Sequence, residues 1–343
     1  MKKKIIVTGG CGYIGSHTAI ELIGHNYDVV VVDDLSNSSQ DTIDRIEAIT
    51  GVRPTFEQVD LKDAVQTESL FSAHKDAAAV IHFAALKAVG ESVQKPLDYY
   101  QNNLYSLLNT LKFQHQVGIE SFIFSSSATV YGIPKALPIL ETHKAQRPSS
   151  PYGNTKKIAE EILEDFTKVT PNFSAISLRY FNPIGAHESG EIGELPNGIP
   201  NNLMPYITQT AAGIRDQLMV FGDDYPTKDG TPVRDYIHVV DLAKAHVQAV
   251  QRLIKQEQEQ SFEIYNLGTG NGFSVLDVIK AFERVSGQKL NYQIVDRREG
   301  DVTELYASTD LAFQKLGWKA ELGLDEMIES AWRWEQKYRG KEN

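Results

Sequence analysis

Cysteine is almost absent from the chain: Cys11 is the only one among 343 residues. No intrachain disulfide can form, and a thiolate metal cluster has no ligand set. Nine histidines offer no substitute, because none pairs with a second across one helical turn around an acid; His82, His187 and His238 read as structural. Long apolar runs are missing as well, and nothing approaches the ~20 residues of a membrane-spanning helix. The start, Met1-Lys-Lys-Lys-Ile-Ile-Val7, is basic but has only three apolar residues in a row, too few for a signal peptide. Positive charge is in deficit, with 34 basic against 45 acidic residues. That balance excludes a general nucleic-acid or anionic-membrane surface but permits a local basic pocket for a phosphorylated small molecule. A reducing, cytoplasmic setting is expected.

What is present is an α/β pattern. Short apolar runs at 5–7, 29–32, 55–59, 79–83, 122–124 and 174–178 read as buried strands. Helical periodicity fills 15–24, 40–49, 63–74, 97–117 and 152–169 between them. Apolar strands alternating with helices imply a parallel sheet covered on both faces, hence a Rossmann-type doubly wound sheet with ligands at the strands' carboxyl ends. After Phe181 the pattern changes. Residues 182–202 are rich in Gly, Pro and Asn and read as a binding loop. Strands at 218–221, 236–239, 264–267 and 290–294 then mix with helices at 203–213, 241–255, 274–286 and 324–338. The expected division is a dinucleotide-binding domain over 1–181 and a smaller α/β substrate domain over 182–343, with some segments returning to the first.

Thr8-Gly-Gly-Cys-Gly-Tyr-Ile-Gly15 follows the first strand and opens the first helix. Gly9, Gly12 and Gly15 permit a tight turn, close backbone approach to a pyrophosphate and close helix–strand packing, with helix N–H groups facing the phosphates. Asp33, ending the second strand, can accept from ribose hydroxyls and would repel a 2′-phosphate, so NAD is favoured over NADP. Asp60-Leu61 after the third strand either meets the adenine edge or caps the strand. Phe83-Ala84 closes the fourth strand with room for a cofactor, and Lys87 either reaches phosphate or ribose or is a surface lysine.

Phe124-Ser-Ser-Ser-Ala-Thr-Val-Tyr-Gly132 leaves the fifth strand, and Tyr152-Gly-Asn-Thr-Lys156 opens the helix that follows. Tyrosine and lysine four apart share a helix face. An ammonium there favours the phenolate and makes a usable base. A packed tyrosine beside a solvated lysine is the plainer alternative.

Taken in chain order, these features resemble the extended short-chain dehydrogenase/reductase family and, within it, the UDP-hexose 4-epimerases, almost end to end. The most specific segments are Arg179-Tyr-Phe-Asn-Pro-Ile-Gly-Ala-His187, Gly198-Ile-Pro-Asn-Asn-Leu-Met-Pro205, Val233-Arg-Asp-Tyr-Ile-His-Val239 and Arg297-Arg-Glu-Gly-Asp301. The resemblance implies C4 epimerisation of UDP-glucose and UDP-galactose through a 4-keto sugar, with a recycled NAD. Tyr152 would be the base, Lys156 would hold the nicotinamide ribose and lower the tyrosine's pKa, and Ser127 would bond O4. Tyr13, Ile14, Asn102, Ser125 and Tyr180 would join the cofactor pocket. Asn182, Asn202, Leu203, Phe221 and Tyr236 would line the UDP-sugar site, where Arg234 and Arg298 clamp the diphosphate and Asp301 accepts from the uridine ribose. Read without the family, Arg234-Asp235 and Arg298…Asp301 are surface ion pairs.

Related nucleotide-sugar 4,6-dehydratases carry an acid pair in the segment matching Ser126-Ser-Ala-Thr129, and this chain has none. The position that sets sugar size in the family is Leu305, smaller than a blocking tyrosine, which implies additional activity on UDP-GlcNAc and UDP-GalNAc. A homodimer through helices 97–117 and 152–169 is implied too. Other expected roles are a different NAD-dependent nucleotide-sugar epimerase or decarboxylase, or an NAD-sensing regulator without turnover.

Overall fold

Apolar side chains alternate between two cores along each central strand. Ile5, Val7, Val29, Val31, Ala79, Ile81 and Ile123 belong to one cluster, and Ile6, Val30, Val32, Val80, Phe122 and Phe124 to the other. Both faces are therefore dry, as a parallel sheet between helices requires. The structure is a computed structural model that describes residues 2–298 and 301–340.

Its first half runs β1 (Lys4–Thr8), α1 (Tyr13–Gly24), β2 (Asp28–Asp33), α2 (Asp41–Thr50), β3 (Thr55–Gln58), α3 (Ala64–Ala73), β4 (Ala77–His82), α4 (Val89–Gln94), α5 (Pro96–Gln116), β5 (Ser121–Ser127), α6 (Pro151–Val169) and β6 (Ser174–Tyr180). A single 3₁₀ turn, Ala128–Tyr131, follows β5. Strands pair in parallel in the order β6-β5-β4-β1-β2-β3, and Phe262–Leu267 adds a seventh beside β6. Helix Val239–Ile254 packs on α1, so two late segments complete the first sheet.

The remaining chain builds a second core around Ile184, Ile207, Val220, Val278, Phe282, Met327 and Ile328. Strand Val233–His238 is its centre, paired with Gly272–Ser274, Glu304–Leu305 and Asn182–Ile184. A separate pair joins Leu218–Phe221 to Tyr292–Val295. Helix Val275–Ser286 begins at a capping box, with Ser274 and Asp277 each satisfying the other's backbone N–H.

Three differences from the sequence reading have local causes. Pro96 starts α5 abruptly, and Val89–Gln94 forms a helix of its own before it. The 182–202 segment opens with a strand, because Asn182, Pro183 and Ile184 pair with Tyr236, Ile237 and His238. Residues 290–294 shift into a strand at Tyr292–Val295, with Leu290 buried in the second core. Among the described residues no helix is long and apolar enough to cross a membrane.

Candidate functional site

From β1 the chain winds to β2 and β3 on one side, then returns to β4 on the other. The crevice between β1 and β4 is thus the topological switch point. Gly9 sits in it with φ +67°, and a Cβ there would lie 2.7 Å from the Ala84 backbone nitrogen. At Gly15 a Cβ would lie 2.4 Å from the Gly9 carbonyl oxygen, so the helix packs directly on the turn. Gly12 is the N-cap of α1 and offers no side-chain cap, leaving Tyr13 and Ile14 in an uncovered first turn.

Asp33 is buried at the end of β2. Its carboxylate accepts from Cys11 N at 3.0 Å, Leu35 N at 3.0 Å and Ser38 Oγ at 2.7 Å. Burial raises its pKa, against these bonds. Glycine cradle, open helix end and a fixed carboxylate on the neighbouring strand fit the pyrophosphate and ribose of a dinucleotide. Asp60 accepts from Lys62 N at 2.9 Å, and Leu61 is buried beside it. Asn102 accepts from Lys62 Nζ at 3.2 Å. Phe83 packs 4.8 Å from the His246 ring, which also hydrogen-bonds the Tyr180 hydroxyl. The Tyr13 hydroxyl donates to Gly185 O at 2.6 Å and ties the crevice to the second half.

One strand away, β5 ends at Ser127 and α6 begins at its Ser150 cap, whose Oγ accepts from Gly153 N at 3.2 Å. Pro151 stands at the first helical position, which places Tyr152 in the first turn and Lys156 one turn later. Lys156 is buried, donates to Ser125 O at 2.6 Å, and lies 4.9 Å from the Phe124 ring and 5.9 Å from the Tyr152 ring.

Burial dominates both ionisable groups. It pushes the Tyr152 phenol up to about 12 against the Ser127 hydroxyl beside it. It pulls the Lys156 ammonium down to about 7 against the nearby Glu160 charge. In the protein alone burial is the largest influence on the phenol, and the Ser127 hydroxyl is what opposes it.

The substrate-side candidates gather around strand Val233–His238. Arg234 stands opposite Leu305, and Tyr236 opposite Asn182. Arg298 stacks its guanidinium 4.4 Å over Phe221. Asn202 stands at the N-cap position of the helix that starts at Leu203, with no side-chain cap bond. The ion pairing differs from the local pairs expected from sequence. Arg234 bonds Asp301, whereas Asp235 is fully buried and accepts from Thr269, Gly270 and Ala307 backbone N–H groups. Glu299 and Gly300 of the matched Arg-Arg-Glu-Gly-Asp segment lie outside the described residues. Lys87 is half exposed and pairs with Glu194 at 3.1 Å. His82 bonds Thr8 Oγ1 and His238 caps the helix after it, both in structural positions. No group of three or more metal-ligating side chains occurs among the described residues.

Several supporting residues escaped the sequence reading. Asn103 accepts from Leu86 N and donates to Thr155 Oγ1, bracing α6 against the end of β4. Glu160 bonds Ser126, Ser177 and Arg179 at 2.6 Å, 2.8 Å and 2.6 Å. A signal for it existed: Tyr152, Lys156 and Glu160 continue one row of the helix at four-residue steps. Tyr225 is buried under the Arg297 guanidinium at 4.0 Å, and its hydroxyl has no hydrogen-bond partner.

The GDP-mannose 4,6 dehydratase family matches residues 6–331. UDP-glucose 4-epimerase of Erwinia amylovora is 52% identical over 333 residues, covering 97% of this chain and 98% of the relative. A UDP-glucose 4-epimerase from Stenotrophomonas maltophila, solved with bound NAD and formylated UDP-arabinopyranose, superposes with a TM-score of 0.95 at 46% identity, covering 98% and 99% of the two chains. The UDP-Glc/GlcNAc 4-epimerase from Campylobacter jejuni gives 0.84 at 37% identity, covering 98% and 99%. With identity of this level sustained over almost the whole length of both chains, the protein belongs to the UDP-glucose 4-epimerase family.

Proposed function

We propose that the protein interconverts UDP-glucose and UDP-galactose by reversible oxidation at C4, using a retained NAD. The observation that carries this reading is the buried Lys156 held on Ser125 O, 5.9 Å from the Tyr152 ring and one strand from the glycine crevice. Gly9, Gly12, Tyr13, Ile14, Gly15 and Asp33 would hold the dinucleotide, and a bound nicotinamide supplies hydride acceptance and return there. Tyr152 removes the O4 proton while Ser127 bonds that oxygen. Lys156, fixed by Ser125, favours the phenolate once the pocket is filled and water is excluded. The 4-keto sugar turns while its UDP end stays anchored by Arg234, Arg298, Asp301 and Phe221. Tyr152 then returns its proton as C4 is reduced from the opposite face. The 3₁₀ turn after Ser127 supplies no acid, which disfavours dehydration at neighbouring carbons.

Leu305 is partly buried against Ala128, Val130, Tyr131 and Phe181, beside the turn that carries Ser127. That placement supports acceptance of N-acetylated sugars alongside the hexoses. Val93, Leu97, Tyr105 and Leu108 are exposed on α4 and α5 and support a homodimer through this side. A reducing, cytoplasmic setting suits the single buried Cys11. The test is the purified protein's nucleotide content after denaturation, followed by turnover of the four UDP-hexoses. Retained NAD, robust UDP-galactose conversion and slower UDP-GlcNAc conversion are expected. Protein that neither holds NAD nor converts UDP-galactose would end the reading, and absent UDP-GlcNAc turnover would end its N-acetyl extension.

A further inference from the structure

Donors from opposite sides of the cleft end on one carboxylate. Glu194 lies between strand Asn182–Ile184 and helix Leu203–Ala211, with 9% of its side chain exposed. Its Oε1 accepts from Lys87 Nζ at 3.1 Å and from Asn202 Nδ2 at 2.6 Å. Lys87 follows β4 on the cofactor side, whereas Asn202 stands at the start of the helix Leu203–Ala211 on the substrate side. The other oxygen, Oε2, is buried and has no hydrogen-bond partner.

The backbone around Glu194 is clamped. The Trp334 indole N–H donates to Glu194 O at 3.1 Å, and a Cβ on Gly193 would stand 2.5 Å from that ring. Arg45 Nη1 donates to Glu191 O at 2.8 Å, Arg333 Nη1 to Glu188 O at 2.8 Å, and Tyr13 to Gly185 O at 2.6 Å. Elements from both halves therefore fix the loop that presents the carboxylate. The pocket bounded by Glu194, Tyr13, Thr208 and Trp334 measures about 10 Å³. That is no more than one water needs and too small for a sugar or phosphate group, which leaves the two donors as the contacts of the Glu194 carboxylate. An ammonium has three N–H bonds and an amide two, so each keeps donors that Glu194 does not occupy.

We propose that Glu194 is a positioning residue that orients Lys87 and Asn202 together, so that NAD retention and UDP-sugar affinity are coupled through one carboxylate. The inference rests on the epimerase reading above. It separates charge from shape: Lys87 needs the anion, whereas Asn202 needs only an acceptor oxygen. By linkage, the factor by which one ligand on this brace changes the other's affinity is returned in equal measure.

The experiment measures NAD retained through gel filtration, UDP affinity by calorimetry, and KM and kcat for UDP-galactose. Glu194→Ala is expected to lose NAD and to weaken UDP binding about tenfold, with KM rising more than kcat falls. Glu194→Gln keeps the acceptor, so UDP affinity stays near the parent value while NAD retention drops. In a Lys87→Met background, Glu194→Ala should cause no further loss of NAD. Unchanged NAD retention and UDP affinity in Glu194→Ala overturns the proposal, as does an equal NAD loss with and without Lys87. Should Glu194→Ala fail to fold, Glu194→Gln decides alone, and parent-like NAD retention in it overturns the coupling. A parent protein without NAD or turnover would instead count against the broader reading.

Discussion

The end of the molecule around Tyr152 and Lys156 and the end around Arg234 and Arg298, the proposed reaction and recognition ends, are built on opposite electrostatic plans. Around Tyr152 and Lys156 the charged groups are buried and their partners are fixed: Glu160 and Arg179 are 6% and 5% exposed and share two hydrogen bonds. At the recognition end the arginines are closer to water and occupy one another's neighbours. Arg234 and Asp301 are 14% and 29% exposed, and Arg297 and Asp224 are 42% and 70% exposed. A proton-transfer site gains from groups that need not reorganise during reaction. A diphosphate site gains from donors whose provisional partners are cheap to release, and exposed ion pairs are cheap. Under the proposed epimerase reading, rigidity falls to chemistry and exchangeability to binding.

The largest test of the rigid end is Tyr152→Phe. The ring remains, so fold and NAD content should persist while turnover falls ~10²–10⁴-fold, the usual worth of positioned acid–base help. A near-normal rate would remove Tyr152 from the proton path. Next comes Glu160→Ala, which leaves Arg179 buried without its counter-ion. Burial alone would lower the Arg179 pKa, but Glu160 more than offsets it and holds it raised. Stripping one partner from such a pair costs about 3–5 kcal/mol. Urea unfolding should show that loss; a change near the size of a surface substitution would mean the network is not what stiffens this end.

The exchangeable end should answer differently. Arg298→Ala removes a guanidinium stacked on Phe221 and a proposed diphosphate donor. Stability should hardly move, whereas KM for UDP-galactose should rise ~10–100-fold, the worth of a hydrogen bond to a charged group. Loss of turnover at saturating substrate, with KM intact, would place Arg298 in the chemistry and erase the contrast between the two ends.

Much of this contrast could be read before folding, and part could not. The apolar strands 5–7 and 29–32 and the glycine turn are local patterns, so β1, β2 and the α1 N-terminus were legible at their places. Tyr152 and Lys156 were legible for the same reason, as neighbours on one helix. Pairings set by topology were not. Arg234 meets Asp301, 67 positions later, only because strand Glu304–Leu305 adds beside Val233–His238. Asp235 looked like the partner of Arg234, yet alternation turns it to the opposite face, where backbone N–H groups hold it. Glu160 and Arg179 lie on a helix and a strand brought together by the α6–β6 crossover. Burial of the Tyr152 phenol is likewise a tertiary quantity, which the four-residue spacing does not carry.

Burial at the rigid end also implies the smallest of these effects, a pH dependence confined to it. Burial pulls the folded Lys156 ammonium down to about 7, against an ordinary value of 10.5. Below that window both folded and unfolded chains carry the proton, and the burial penalty is fully present. Within it the unfolded chain keeps a proton that the folded one has released. Unfolding then takes up protons, so the stability contributed at this position rises with pH. Tyr152 does not confuse the measurement, since its own pKa is pushed up to about 12. Denaturant midpoints compared at about pH 6, 8 and 9.5 should show the parent protein gaining on Lys156→Met as pH rises. Titrating groups distant from Lys156 are common to both proteins and cancel in the difference, and the adjacent His82 is already held neutral by burial, its pKa lowered to about 3. A gap that stays constant across those three conditions would mean Lys156 keeps its proton in the folded state. Glu160 and Ser125 would then stabilise the ammonium more than burial opposes it, and the lysine charge would regain the control over Tyr152 that its spacing first suggested.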